Sequence, residues 1–435
     1  MSSLRSIQRS NLEAFRRQPL AEISGSVGDL GTFLPIVIAL TISHQISLPT
    51  TLVFTGIFNI LTACFFGIPL PVQPMKAIAA VALLKSFTPG QTQAAGIFVA
   101  SCVLVFSITG LLRWFTSTIP IPVVKGIQVG AGLSLIISAG AKAMKELSWT
   151  GPSWEDNFWW VMFALIAMLL LAMVPRAPYA LLILILGLIL ATNELDYGEG
   201  NHGPAFHLWH PYTQVPAKGE WIVGILDAGI GQLPLTTLNS IIAVVHLSAD
   251  LLPEIHTPSV TSIGFSVALM NLFGCWFGAM PVCHGSGGLA AQYRFGARSG
   301  ASIIILGIFK LLLGVFLGET LVDLLKRFPT ALLTVMVFAA GLELAGVGES
   351  LNTRGARDVE KELGEVERKR RWMTMLVTMG LLVAFQNDAV GFIAGMLCHW
   401  SYEVPEMLNS VRRRLENRRS VGCLHEEQTL LPQHD

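Results

Sequence analysis

Charge is the scarcest ingredient of this sequence. Only 13% of its 435 residues are Asp, Glu, Lys or Arg, about half the share of an ordinary soluble domain, while 52% are hydrophobic and the mean hydropathy is +0.59. A soluble chain has no use for uninterrupted apolar runs such as Phe158 to Val174 and Ala180 to Ala191, so a polytopic, all-α membrane protein is expected. The 29 basic and 29 acidic residues cancel, and no basic face suggests nucleic acid as a partner. Six cysteines (Cys64, Cys102, Cys275, Cys283, Cys398, Cys423) include no C-x-x-C pair, which argues against a metal site or a disulfide framework. There is no H-E-x-x-H and no Ser/His/Asp arrangement, so an enzyme is not expected and no cofactor is implied. The start of the chain has no short apolar core of a cleaved signal peptide; it carries Arg5, Arg9, Arg16 and Arg17 and is expected to stay cytoplasmic.

Apolar stretches interrupted by Pro, Gly and the few charges fall near 25–44, 51–67, 90–112, 121–139, 157–174 and 177–193, with a shorter element at 73–85. The second half offers 221–245, 257–278, 299–318, 328–347, 372–386 and 388–403, with a shorter element at 284–294. Each half has seven segments, and the third is short. FGIPLPVQP (Phe66 to Pro74) and FGAMPVCHG (Phe277 to Gly285) share an FG followed by a PV at an offset of about 210 residues. GDLGTFLP (Gly28 to Pro35) is echoed by GIGQLP (Gly229 to Pro234), and Pro122 and Pro329 open the fifth segments. An internal duplication is the reading, and an odd number of crossings per copy sets the two copies in opposite orientations. Fourteen crossings place Arg294, Arg298, the run Arg368 to Arg371 and Arg412 to Arg419 in the cytoplasm together with both termini, and the 196–220 loop outside. Lys326, Arg327, Lys142 and Lys145 run against that balance.

The short elements are where chemistry is expected. In PVQPMKAIAA (Pro71 to Ala80), Pro74 suits the start of a helix, Gln73 precedes it, and Lys76 falls in the first turn. A cation there adds to the positive end of the helix dipole inside the membrane, so something negative belongs beside it. A bound anion and Asp29 are the two candidates, Asp29 as a charge-pairing or coupling group; a plain Lys76–Asp29 brace is the structural alternative. In the second half Gly285, Ser286, Gly287 and Gly288 let main-chain N–H groups face outward at a helix start. Two half-helices aiming their N-termini at one another make a small compartment of positive potential that suits a tetrahedral dianion. Ser286, Thr32, Gln73 and Gln232 are candidate donors to it. His284 is either a proton-linked partner or a histidine that bonds a nearby carbonyl.

GDLGTFLP, PVQPMKAIAA and FGAMPVCHGSGGLAAQYRFG resemble the signature stretches of the eukaryotic molybdate transporter family, a branch of the sulfate-permease-like superfamily, over most of residues 20–403. The resemblance implies seven transmembrane segments plus an inverted seven, with segments 3 and 10 half-helices preceded by short extended strands. It further implies a core domain (21–115 and 221–320) and a gate domain (120–195 and 325–403), within repeats 21–195 and 221–403 flanked by a 1–20 segment and a 404–435 tail. Carried over residue by residue, the substrate site falls at Gln73 to Lys76 and His284 to Gly288. Related carriers often place a basic residue where Gly288 stands, which leaves Lys76 as the fixed charge. The tail lacks the regulatory domain of many sulfate permeases, so a homodimer stays an open partner alongside membrane lipid and molybdate. The implied function is molybdate transport by movement of core against gate, with proton coupling open; another oxyanion such as sulfate, or a passive anion channel, are the alternatives. Glu426, Leu430 and Leu431 fit an acidic dileucine signal and put a vacuolar or endosomal membrane beside the plasma membrane as destinations.

Overall fold

The computed structural model describes residues 2–28, 30–172, 179–193, 208–352 and 364–404. Asp29, residues 196–207 of the 196–220 loop and the dileucine tail lie outside the described residues. Within them the chain is mostly helical. Six helices are long and apolar enough to cross a membrane: Leu48–Phe66, Pro89–Thr109, Ile121–Glu146, Lys218–Leu251, Val260–Phe277 and Thr330–Asn352. Ala301–Phe316 and Thr320–Lys326, bent by 89°, make a seventh if they are one span. Phe33–Ile42, Phe158–Leu171 and Leu182–Thr192 are apolar but shorter. Side chains such as Phe163, Ile166, Leu169 and Leu170 face outward, where only lipid makes them inexpensive.

The one sheet of the described residues is a ribbon of two three-residue strands, β1 (Val72–Pro74) and β2 (Val282–His284). They run antiparallel with Val72 opposite His284 and Pro74 opposite Val282. Prolines explain why helix stops here: Pro69, Pro71 and Pro74 in one copy and Pro281 in the other remove N–H donors and disfavour helix in the residue before them. Extended backbone buried this deeply must find partners. Each strand takes one from a buried asparagine on the preceding long helix. The Val72 N–H donates to Asn59 Oδ1 at 2.8 Å, and the Val282 N–H donates to Asn271 Oδ1 at 2.7 Å. Asn271 Nδ2 also donates to the Val282 carbonyl at 2.6 Å.

That pairing repeats at the offset seen in the sequence, and so do others. Gly67 and Gly278 both end the helix before their strand at positive φ, 69° and 81°, where only glycine sits without strain. The buried Glu22 carboxylate accepts from the Ser299 hydroxyl at 3.0 Å and from the N–H groups of Arg298 and Ser302, both at 3.1 Å, at the start of Ala301–Phe316. In the other half Glu220 accepts from Thr88, the residue that caps Pro89–Thr109. Helices of the two halves thereby interlock: Leu48–Phe66 packs on Ala301–Phe316, and Pro89–Thr109 on Val260–Gly274. The first pair crosses at Gly56 and Gly307, where a Cβ on either would come within 2.7 Å of the other's carbonyl oxygen. A second bundle forms where Ile121–Glu146 meets Thr330–Gly346 and Glu365–Phe385. The helix Ser2–Arg17 is tied to the first bundle by Asn11, which accepts from the Gly300 N–H at 3.0 Å and donates to the Ala63 carbonyl at 3.2 Å.

Asn59→Ala and Asn271→Ala each strand a buried backbone donor, at a cost of about 1–3 kcal/mol. Both variants are expected to melt below the parent in detergent, by comparable amounts. Unchanged melting of both would show that the ribbon does not depend on them.

Candidate functional site

Each strand leads straight into a short helix. β1 is followed by Lys76–Lys85, 10 residues, and β2 by Ser286–Arg294, 9 residues. Because the strands are antiparallel, the two helices start at opposite ends of the ribbon and run apart.

The two helix starts differ in what satisfies them. At the first, Gln232 Oε1 accepts from the N–H groups of Ala77 at 3.0 Å and Ile78 at 3.3 Å, while its amide donates to Thr236 at 2.9 Å. At the second, the Leu289 N–H closes the first turn on the Gly285 carbonyl at 3.0 Å. The N–H groups of Ser286, Gly287 and Gly288 precede that turn, so they have no acceptor inside the helix and meet none among the described residues. The Ser286 hydroxyl donates to Asn239 Oδ1 at 2.9 Å.

One long helix supplies these contacts. Lys218–Leu251 contains two π-helical stretches, Gly224–Gly229 and Thr236–Ile242, on either side of Pro234. Pro234 lacks the N–H that a regular helix would use, and the wide turns shift the register of the side chains that follow. Asp227 pairs with Lys85 at the far end of the first short helix, at 2.8 Å. Gln232 caps that helix at its near end. Ser240 reaches Cys283 in β2 at 3.1 Å, and Asn239 reaches the start of the second short helix.

Of the residues expected from sequence, Lys76 is half-buried in the first turn of its helix, and no described carboxylate pairs with it. Asp29 and the Thr32 side chain lie outside the described residues. Gln73 is buried in β1, with its side chain over the second short helix: a Cβ added to Gly285 would land on Gln73 Oε1, and one on Gly288 would lie 2.5 Å from Gln73 Nε2 and 2.7 Å from Pro71. Gly287 is exposed, and a Cβ there would meet nothing within 4 Å. His284 is fully buried, its Nε2 2.9 Å from the Ser266 hydroxyl and its ring edge-on to Phe66. It thus packs between the long helices that precede the two strands. Gln232 was expected to donate to an anion, yet in this conformation its oxygen serves the helix. Asn239 and Thr236 went unnoticed in the sequence, since a polar residue in a long helix carries no mark of its register. Lys310 was also passed over, although a lysine within an apolar span is the same signal that singled out Lys76. It is buried with its Nζ 3.4 Å from the centre of the Phe33 ring.

The chain matches the model of a family described as a molybdate transporter of the MFS superfamily, over residues 21–135 and 224–344. Two curated Arabidopsis thaliana proteins are similar over 88% of this chain: molybdate transporter 1, 37% identical over 88% of its own length, and molybdate transporter 2, 40% identical over 87%. Among solved structures, the transmembrane domain of the cyanobacterial bicarbonate transporter BicA superposes with a TM-score of 0.60 at 14% identity, covering 87% of this chain and 98% of that one. Murine Slc26a9, an anion transporter captured in an inward-facing state, gives 0.63 at 13% identity, covering 89% and 68%. These likenesses establish the fold, that shared with the BicA transmembrane domain and Slc26a9, and the sequence matches establish kinship. The chain is a multi-pass membrane protein that belongs to the molybdate transporter family.

Proposed function

We propose that this protein moves molybdate across a membrane by binding the dianion at the starts of its two short helices and shifting one helical bundle against the other. The observation that carries the site is the set of main-chain donors at Ser286, Gly287 and Gly288, aimed outward from the helix start that follows β2, while Lys76 opens the helix that follows β1. Donors fixed by a helix need no reorganisation when a tetrahedral oxyanion arrives, and the helix dipole and the Lys76 charge favour a dianion. In the same reading all fourteen expected segments cross, the two seven-segment copies are inverted, and the bundles divide into core (21–115, 221–320) and gate (120–195, 325–403). The recurrence of the Asn59 and Asn271 contacts supports the duplication, and the separate packing of Ile121–Glu146 with Thr330–Gly346 supports the division. Both termini are placed in the cytoplasm on the charge balance of the loops.

Single cysteines introduced in 208–217 and in 364–371 should label from opposite sides of the membrane. Labelling from one side would break the inverted-repeat model.

Lys76→Ala should weaken molybdate binding to the purified protein by more than about 1 kcal/mol, a factor of five or more, because charge counts for more in a water-poor site. Lys76→Arg should restore it only in part, since a planar fork replaces a compact point charge. Competition with sulfate, tungstate and phosphate in the same assay sets the selectivity. Unchanged affinity in folded Lys76→Ala would remove the lysine from the site.

The two glycines separate structure from binding. Gly288→Ala strikes Gln73 and Pro71 and should lower stability and affinity together. Gly287→Val meets no protein atom at its Cβ, so it should melt like the parent and lose molybdate. Full affinity in Gly287→Val would show that the anion does not sit at this helix end.

A further inference from the structure

A second polar cluster lies at the other end of the first short helix, where the two proposed domains meet. Lys85 ends that helix and pairs with Asp227 of Lys218–Leu251; both side chains are about a quarter exposed, 25% and 21%. Asn387 reaches the same carboxylate, its Nδ2 donating to Asp227 Oδ1 at 2.7 Å. Asn387 also caps the helix 388–404, accepting from the N–H groups of Ala389 at 2.9 Å and Val390 at 3.0 Å. One residue on is Asp388. It is fully buried, and neither of its carboxylate oxygens has a hydrogen-bond partner among the described residues.

The burial has a specific cause. Asp388 is pressed against Gly231, so closely that a Cβ on Gly231 would fall on the Asp388 Cβ and lie 2.9 Å from its carbonyl oxygen. Gly231 adjoins Gln232, the residue that caps the first short helix at the candidate anion site. The contact therefore joins the helix 388–404, in the gate, to the core helix that touches both short helices. The charged groups facing Asp388 are Lys85 and Asp227, which already neutralise one another. A bare carboxylate sealed into such a place without a donor is costly, whereas the neutral acid lacks only a hydrogen bond. When core and gate separate, the same carboxyl meets water and the cost disappears.

We propose that Asp388 is a proton-binding site of the transport cycle: the contact with Gly231 closes over the neutral acid and is opposed by the ionised one. Each closure takes one proton from water onto a carboxyl oxygen, and each opening frees that proton to return. The proposal rests on the core-against-gate movement put forward above. Molybdate uptake by purified protein in liposomes, at equal pH on both sides and over a series of pH values, tests it.

Wild-type uptake should fall several-fold as pH rises. Asp388→Asn, neutral at every pH, should keep wild-type molybdate affinity and show a flat profile near the wild-type acid rate. Gly231→Ala, which obstructs the contact from the other side, should transport slowly at every pH while still binding molybdate, and it serves if Asp388→Asn does not accumulate. A flat wild-type profile, an Asp388→Asn profile that follows the wild type, or fast pH-dependent uptake by Gly231→Ala would overturn the assignment. Failure of the wild type to bind molybdate would instead sink the transport reading itself, so the two failures are told apart.

Discussion

Extended backbone inside a membrane protein has to be satisfied by protein, and much of this architecture follows from meeting that demand at β1 and β2. The strands bond to one another, and Asn59 and Asn271 take the N–H groups that face away from the partner. Holding six residues out of helix is what allows two helices to begin in the interior of the protein. A helix that begins there presents its positive end within the protein, where Gln232 satisfies the donors of one start and those of Ser286, Gly287 and Gly288 meet no acceptor among the described residues. The cost of the ribbon and the proposed capacity to hold an anion are two aspects of the same backbone geometry.

Lys218–Leu251 connects the pieces. Asp227, Gln232, Asn239 and Ser240 touch the far end of one short helix, its start, the start of the other, and the strand before it. With regular α-helical spacing these side chains would be distributed differently, and the π-helical stretches on either side of Pro234 set their actual register. A displacement of this helix against 388–404 would act on Gln232 and on the Asp388 contact together. In the proposed cycle, occupancy of the helix starts and closure of the core–gate boundary would be mechanically adjacent as a result.

Much of this was legible in the sequence wherever a residue has few permitted uses. The FG and PV pairs forecast the breaks because proline ends a helix and Gly67 and Gly278 take positive φ. Lys76 announced itself because a lysine in an apolar run needs a reason. The glycines were legible as a group and not one by one: Gly288 is small because Gln73, about 210 residues away, lies against it, whereas Gly287 borders space. Gln232 was noticed with its role reversed, since an amide can donate or accept and only the fold decides. Glu22, Asn239 and Asp388 left no local trace, because their meaning comes from partners far away in sequence: Ser299 for the first, Ser286 for the second and Gly231 for the third. The places of the helices were legible from the same residues, while among the described residues six or seven are long and apolar enough for a full span, and the helix Leu30–Ile42 contains Pro35.

The central claim is that molybdate sits at the starts of the two short helices, and molybdenum itself provides the most direct measurement. Crystals grown with molybdate, with diffraction recorded on either side of the molybdenum absorption edge, locate the metal without assumptions about the protein. The account predicts one anomalous peak beside the main-chain nitrogens of Ser286, Gly287 and Gly288, on the side of the ribbon that Lys76 faces. A peak elsewhere, with the Gly287 nitrogen unoccupied, would contradict it.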